Sequence, residues 1–297
     1  MHAGGIASAA LGRRNGVGGR PPSHAASCRL AGSGRPLLYF PNPVRYRGTV
    51  IHEERDVFDD LAAEHAHLEA VLAAIPPQRW DAASGAPGWT VGDVVLHLAQ
   101  TNELVVASVT GDREQFARPE GVPLDELMDR MVAEERGAPP EEVFRRWRRS
   151  AAAALEALRG CPAGTRLHWA AVPLSPRTLA ATRIAEHWAH ALDVTGPLGV
   201  DYPDTARLWH IARLAQRTLP YAFAVAGEEG GPVRCVLTGP AGERWEFGDA
   251  DAPSVITGPA GEFCRVGARR LRPEDTSLRA EGPHAAAALR VLRNYAA

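Results

Sequence analysis

Between Val57 and about residue 230 the apolar side chains of this chain recur every three or four positions, and after that they alternate in short runs. That change of period constrains the fold more than any other feature. A period of 3.6 builds helices that bury one stripe, whereas a period of 2 builds strands. Phe58, Leu61, His65, Leu68, Leu72 and Ile75 form the first helical stripe, and Pro76-Pro77 ends it. In "GWTVGDVVLHLAQTNELVVASV" Thr90 is an N-cap with Asp93 three positions on, and Trp89 is placed to staple onto Val94. "LDELMDRMVAEER" reads as a third helical segment. The next, "PPEEVFRRWRRSAAAALEALRG", carries the stripe Val143, Trp147, Ala151, Ala154 and Leu158, with acids first and arginines later, as the helix dipole favours. Another helix starts at Ser175-Pro176 and is expected to run to about Val194, stopped by Gly196-Pro197. "DTARLWHIARLAQRTLPYAFAVAG" reads as one further helix with a kink near Pro220.

Strand-like runs follow: "VRCVLTG", "RWEFGD", "SVITG" and "SLRAEG", separated by turns that include Gly239-Pro240 and Gly258-Pro259. Helical "AGEFCRVGARRL" and "HAAAALRVLRNYA" lie between and after them. The expected class is α + α/β. A helical bundle spans 55–200, a linking helix 201–231 and a small α/β domain 232–297.

Residues 1–54 stand outside that scheme. Residues 1–52 contain seven arginines and no acid, and are rich in Gly and Ser. This composition fits a disordered extension or coding sequence upstream of the natural start, and less well a transit peptide. The chain has no lysine, so the remaining 26 arginines face 35 acids and the folded part carries about −9. A nucleic-acid binder shows a basic face, and this balance argues against one. No apolar run is long enough for a membrane span. Cys28, Cys161, Cys235 and Cys264 are scattered without a C-x-x-C pair. That pattern argues against a disulfide scaffold or a cysteine zinc site and fits a cytoplasmic protein.

One constellation carries chemistry. In "RIAEHWAHALDV" Glu186 and His190 stand four apart, so both project from one helix face. Such pairs are frequent on ordinary solvated helices, and two ligands do not make a metal site; a third must come from a facing helix. His97, set among Val95, Leu96 and Leu98, is the best candidate, His65 competes, and His67 is weaker. Asp193, three residues after His190, is placed to accept from the imidazole's other nitrogen. His187 and Trp188 face elsewhere and read as packing, and "RRWRR" at 145–149 reads as a solvated rim around Trp147.

"GWTVGDVVLHLAQ" and "EHWAHALD" resemble the two signatures of the DinB-like metalloenzyme superfamily, and most closely its mycothiol-dependent maleylpyruvate isomerases. The resemblance spans roughly residues 55 to 295. It implies a DinB-like four-helix bundle followed by a small α/β domain similar to sterol-carrier proteins. It also implies zinc, or another divalent metal, held by His97, Glu186 and His190, with mycothiol as the thiol cofactor. A catalytic arginine is implied at Arg270, or one position earlier at Arg269; residues 269–273, "RRLRP", depart from the family pattern there.

Three protein ligands leave a fourth metal position open, the mark of a catalytic site. The expected chemistry is addition of an activated thiol to an unsaturated electrophile, giving cis–trans isomerisation or S-transfer. The expected partner is a small-molecule substrate with a carboxylate, gripped by Arg270. Two alternatives stand beside it: a thiol-independent metal hydrolase, lyase or cyclase, and a non-catalytic, metal-stabilised binding protein.

Overall fold

The computed structural model describes residues 55–112, 114, 122–169 and 172–294, so the extension at 1–54 lies outside the described residues. Helix α1 (Val57–Ala74) is capped by Asp56, whose carboxylate accepts from the Phe58 amide at 2.8 Å, and it buries Leu61, Leu68 and Leu72. Helix α2 (Val91–Thr110) opens on the capping box expected of Thr90 and Asp93, each side chain satisfying the other's backbone amide. Gly111 ends it at φ 78°, a left-handed position that glycine takes without steric cost. Helix α3 (Leu124–Glu135) buries only Val132 and flanks the others. Helices α4 (Pro140–Arg159) and α5 (Pro176–Leu198) complete the bundle with α1 and α2. The α4 stripe is buried throughout, as its spacing requires. Arg145, Arg148 and Arg149 around Trp147 are exposed, but Arg146 is drawn into ion pairs with Glu103 and Glu135.

Gly196-Pro197 does not stop α5. The helix continues to Leu198 and ends at Gly199, φ 67°. A proline inside a helix withholds one N–H from the carbonyl four residues back, here that of Asp193. The orphaned carbonyl accepts instead from the Gly85 amide at 2.7 Å, so the loop before α2 supplies the bond that the proline removes. A side chain at residue 85 would crowd this contact, because its Cβ would lie 3.1 Å from the Asp193 Cα and push the two segments apart by a few tenths of an ångström.

The single linking helix expected before the sheet is two helices, α6 (Leu208–Arg217) and α7 (Leu219–Ala226). The break falls at Thr218, which puts Pro220 in the first turn of α7, where its missing N–H costs nothing. Four strands follow: β1 (Val233–Thr238), β2 (Arg244–Phe247), β3 (Ser254–Pro259) and β4 (Arg279–Glu281), in the order β2-β1-β3-β4. β1 pairs antiparallel with β2 and parallel with β3, and β4 pairs antiparallel with β3. Gly239-Pro240 makes the expected hairpin turn, closed by the Gly239 amide on the Glu243 carbonyl at 2.7 Å. Gly258-Pro259 is not a free turn: it ends β3 and leads straight into α8 (Ala260–Gly267). Val233, Cys235 and Leu237 alternate inward and share one buried cluster with Phe263 and Cys264 of α8 and Leu289 of α9 (Ala285–Val291). Among the described residues no helix is long and apolar enough to cross a membrane.

Two buried carboxylates of α1 fix the segment that joins bundle and sheet. Glu64 accepts from the Tyr202 hydroxyl at 2.7 Å and from Arg207 Nε at 2.5 Å. Asp60 contacts His210 Nε2 at 2.8 Å and accepts from Arg55. Burial alone would raise the Asp60 carboxyl, but His210 and Arg55 more than reverse this and hold it well below its ordinary value. A depressed carboxylate contributes stability above its unfolded pKa of about 4, lost as pH falls through the native value. Asp60→Asn is therefore expected to cost about 3 kcal/mol in urea unfolding at pH 7, with a smaller deficit at pH 3. An equal deficit at both pH values would contradict this.

Candidate metal centre

Helices α2 and α5 lie antiparallel, so that His97 meets Glu186 and, one turn on, Thr101 meets Arg183. His97 Nε2 lies 3.0 Å from Glu186 Oε1, and the same oxygen lies 3.6 Å from His190 Nε2. The ligand atoms of the three all fall within 4.8 Å of one another. His97 and His190 side chains are 6% and 13% exposed and Glu186 26%, so the trio is reached from solvent on the carboxylate side. The Trp89 ring covers both imidazoles, with centroids 5.0 Å from His97 and 6.3 Å from His190, and its Nε1 is anchored on Asp129 at 2.9 Å.

His190 is oriented from behind. Its Nδ1 lies 2.9 Å from Asp193 Oδ2, which turns Nε2 toward Glu186. Arg270 donates Nε to Asp193 Oδ1 at 3.0 Å and Nη2 to Oδ2, forming a two-pronged pair with an almost wholly buried carboxylate. The turn that places Arg270 is a Schellman motif at the end of α8. The Arg269 amide bonds the Val266 carbonyl at 3.0 Å and the Arg270 amide that of Arg265 at 2.9 Å. Arg269 occupies the left-handed position usual for glycine, at φ 59°, and its side chain is exposed.

Burial opposes charge on every group here, and the partners decide the outcome. Burial would raise Glu186, but His190, His97 and the nearby Arg183 hold it well below the carboxylate range. Burial would lower His190, yet Asp193 and Glu186 leave it above its ordinary value. At His97 burial prevails over Glu186 and its imidazole is lowered. Asp193, raised by burial alone, is brought below its ordinary value by His190 and Arg270.

The donor set is two imidazole nitrogens and one carboxylate oxygen. Tetrahedral zinc bonds of about 2.0–2.1 Å set such atoms roughly 3.3 Å apart, close to the two separations on Glu186. The set therefore fits a divalent ion of zinc type, with three protein donors and one further position. His97 Nδ1 is buried without a hydrogen-bond partner in the described structure.

His65, the competing ligand, faces the bundle core instead, its ring 4.4 Å from His187 and 6.3 Å from Trp147. His67 stacks on Tyr202 at 4.1 Å. His187 and Trp188 are buried. Trp89, Gly85 and Arg183 surround the site without having been marked for it; only the tertiary pairing of α2, α5 and the 80–90 loop reveals them.

The profile of the mycothiol maleylpyruvate isomerase N-terminal domain matches residues 61–195. Two uncharacterized proteins of Mycobacterium tuberculosis, from strains CDC 1551 / Oshkosh and H37Rv, are each 34% identical over 247 residues, covering 80% of this chain and 94% of theirs. Among solved structures, the crystal structure of the mycothiol-dependent maleylpyruvate isomerase is similar in fold. Its TM-score is 0.53 at 15% identity, over 76% of this chain and 93% of that one. A crystal structure of a histidine-to-alanine mutant of that enzyme gives a TM-score of 0.51 at 16% identity, over 71% and 88%.

Arg270, expected to grip the substrate carboxylate, is bound to Asp193 in this structure. An arginine held by a buried carboxylate contributes to folding. Arg270→Ala is expected to lower unfolding free energy by about 1.5–3 kcal/mol, measured by urea denaturation without added metal. Unchanged stability would show that the pair is not maintained in solution.

Proposed function

The chain belongs to the mycothiol maleylpyruvate isomerase family, and from that premise we propose that it is a divalent-metal-dependent, thiol-using enzyme acting on an unsaturated, carboxylate-bearing small molecule. The observation that carries this reading is the convergence of His97, Glu186 and His190 within 4.8 Å. These three residues would hold the ion, zinc or another divalent metal suited to imidazole donors. Once bound, the ion supplies a Lewis acid that favours the ionised form of a low-molecular-weight thiol such as mycothiol, whose reversible addition gives cis–trans isomerisation and whose retention gives S-transfer.

The chain's own residues supply order around that chemistry. Asp193 fixes the His190 ring so that Nε2 faces Glu186, and Arg270 fixes Asp193. Trp89 covers the two imidazoles and limits water on that side. Arg270, partly exposed beside Asp193, is a nearby cation that suits an anionic substrate. None of Cys161, Cys235 and Cys264 serves as nucleophile in this scheme. Cys264 is wholly buried, and burial pushes the Cys235 thiol up to about 12.

Metal content and turnover of a cis-configured unsaturated keto acid with mycothiol test the proposal together. The wild type is expected to hold close to one equivalent of metal and to require the thiol. His97→Ala, Glu186→Ala and His190→Ala should each weaken metal binding by more than the roughly 10–100-fold typical of an outer partner, and Asp193→Asn should fall in that lower range. Retained metal in all three alanine variants would refute the ligand assignment. Full turnover without thiol would refute the thiol.

A further inference from the structure

Among the described residues Arg183 has no ion-pair partner. Its residue is 3% exposed, deep in the bundle. One terminal nitrogen donates to Thr101 Oγ1 at 2.8 Å and lies 3.4 Å from Asn102 Oδ1, while its Nε has no partner. The imidazoles of His65 and His187 beside it supply no negative charge. Arginine does not shed its proton in proteins, so the charge stays, and a buried charge without a counterion is costly. Among the described residues no carboxylate forms an ion pair with it. Glu186, one turn along α5, is the carboxylate whose field acts on it, and that group is already shared between two imidazoles. Thr101, which receives the Arg183 hydrogen bond, donates its own hydroxyl to the His97 carbonyl at 2.9 Å. Arg183 is thus built into the back of the ligand trio from both helices.

We infer that Arg183 is a positioning charge of the metal centre: its fixed positive charge behind Glu186 loosens the hold on a divalent cation and directs the cation's open position toward anionic rather than neutral ligands. The inference rests on the metal reading above and adds to it a selectivity that the three ligands do not supply. With a dication, Glu186, Asp193, Arg183 and Arg270 together, the centre retains excess positive charge, which a thiolate or carboxylate offsets and an amine or imidazole does not. A strut that merely ties α5 to Thr101 would have no such effect.

The test is titration of the metal-free protein with Co²⁺, followed by visible absorption, and then titration of the Co²⁺-loaded protein with azide. Arg183→Gln removes the charge but keeps an amide donor. Asn102→Asp leaves Arg183 in place and neutralises it with a near-isosteric carboxylate. Both are expected to bind Co²⁺ about tenfold more tightly than wild type and azide about fivefold more weakly. Thr101→Val, which removes the hydrogen bond and keeps the charge, should stay within about threefold of wild type for both probes. The inference is overturned if the folded neutral variants bind Co²⁺ no more tightly than wild type. It is equally overturned if both fail to fold, since a charge placed to tune the metal is dispensable to the metal-free fold. Where one variant folds and the other does not, the folded one decides. A wild type that binds no Co²⁺ at all would instead remove the metal reading itself.

Discussion

A single carboxylate oxygen between two imidazoles, Glu186 Oε1 with His97 and His190, is the contact on which the account rests. It ties two helices that are 89 residues apart in sequence at His97 and Glu186. It also demands that α2 and α5 run antiparallel in one register. A slip of one residue on either helix turns the side chain by about 100° and takes it out of reach. The Thr90–Asp93 capping box and the Ser175-Pro176 start fix where the two helices begin, and thereby where on each helix the ligands fall. Val95, Leu96 and Leu98 around His97 are buried, so the trio sits at the edge of the bundle's apolar core.

The α/β domain contributes to that site through the end of α8. Arg270 reaches Asp193 from a turn whose geometry forces Arg269 into a left-handed conformation. Such strain costs of order 1–3 kcal/mol in a residue other than glycine, and the buried pair on Asp193 offsets it. Earlier in the same helix Arg265 pairs with Asp204 at 2.7 and 2.9 Å and lies over the Trp188 ring. The backbone of Asp193 is held as well, by Gly85, because Pro197 has freed its carbonyl. Three separate segments therefore converge on one aspartate, which in turn holds one histidine.

Much of this was legible in the sequence, and the limits are physical. Apolar spacing located α1, α2 and α4, since a helix that buries one stripe must show it. β1, β2 and most of β3 were legible because inward and outward residues alternate, whereas β4 is exposed along its whole length and shows no such alternation. The i, i+4 pair Glu186/His190 was visible for the same reason, and His97 stood out as a polar residue inside an apolar run. Pro197 misled, because local rules treat proline as a stop, whereas an amide distant in sequence satisfied the carbonyl it orphaned. The position of Arg270 near the site was legible through the family resemblance, but its pairing with Asp193 depends on how α8 docks, which no spacing encodes. Arg183 was invisible, since an arginine in a helix reads as surface until the partner helices are placed around it.

X-ray absorption fine structure on the metal-loaded protein tests the central claim most directly. The account predicts an inner shell of two imidazole nitrogens and one carboxylate oxygen, with a further position at which an added thiol introduces one sulfur. A shell already containing protein sulfur, a shell without imidazole, or one that does not change on adding thiol would contradict it.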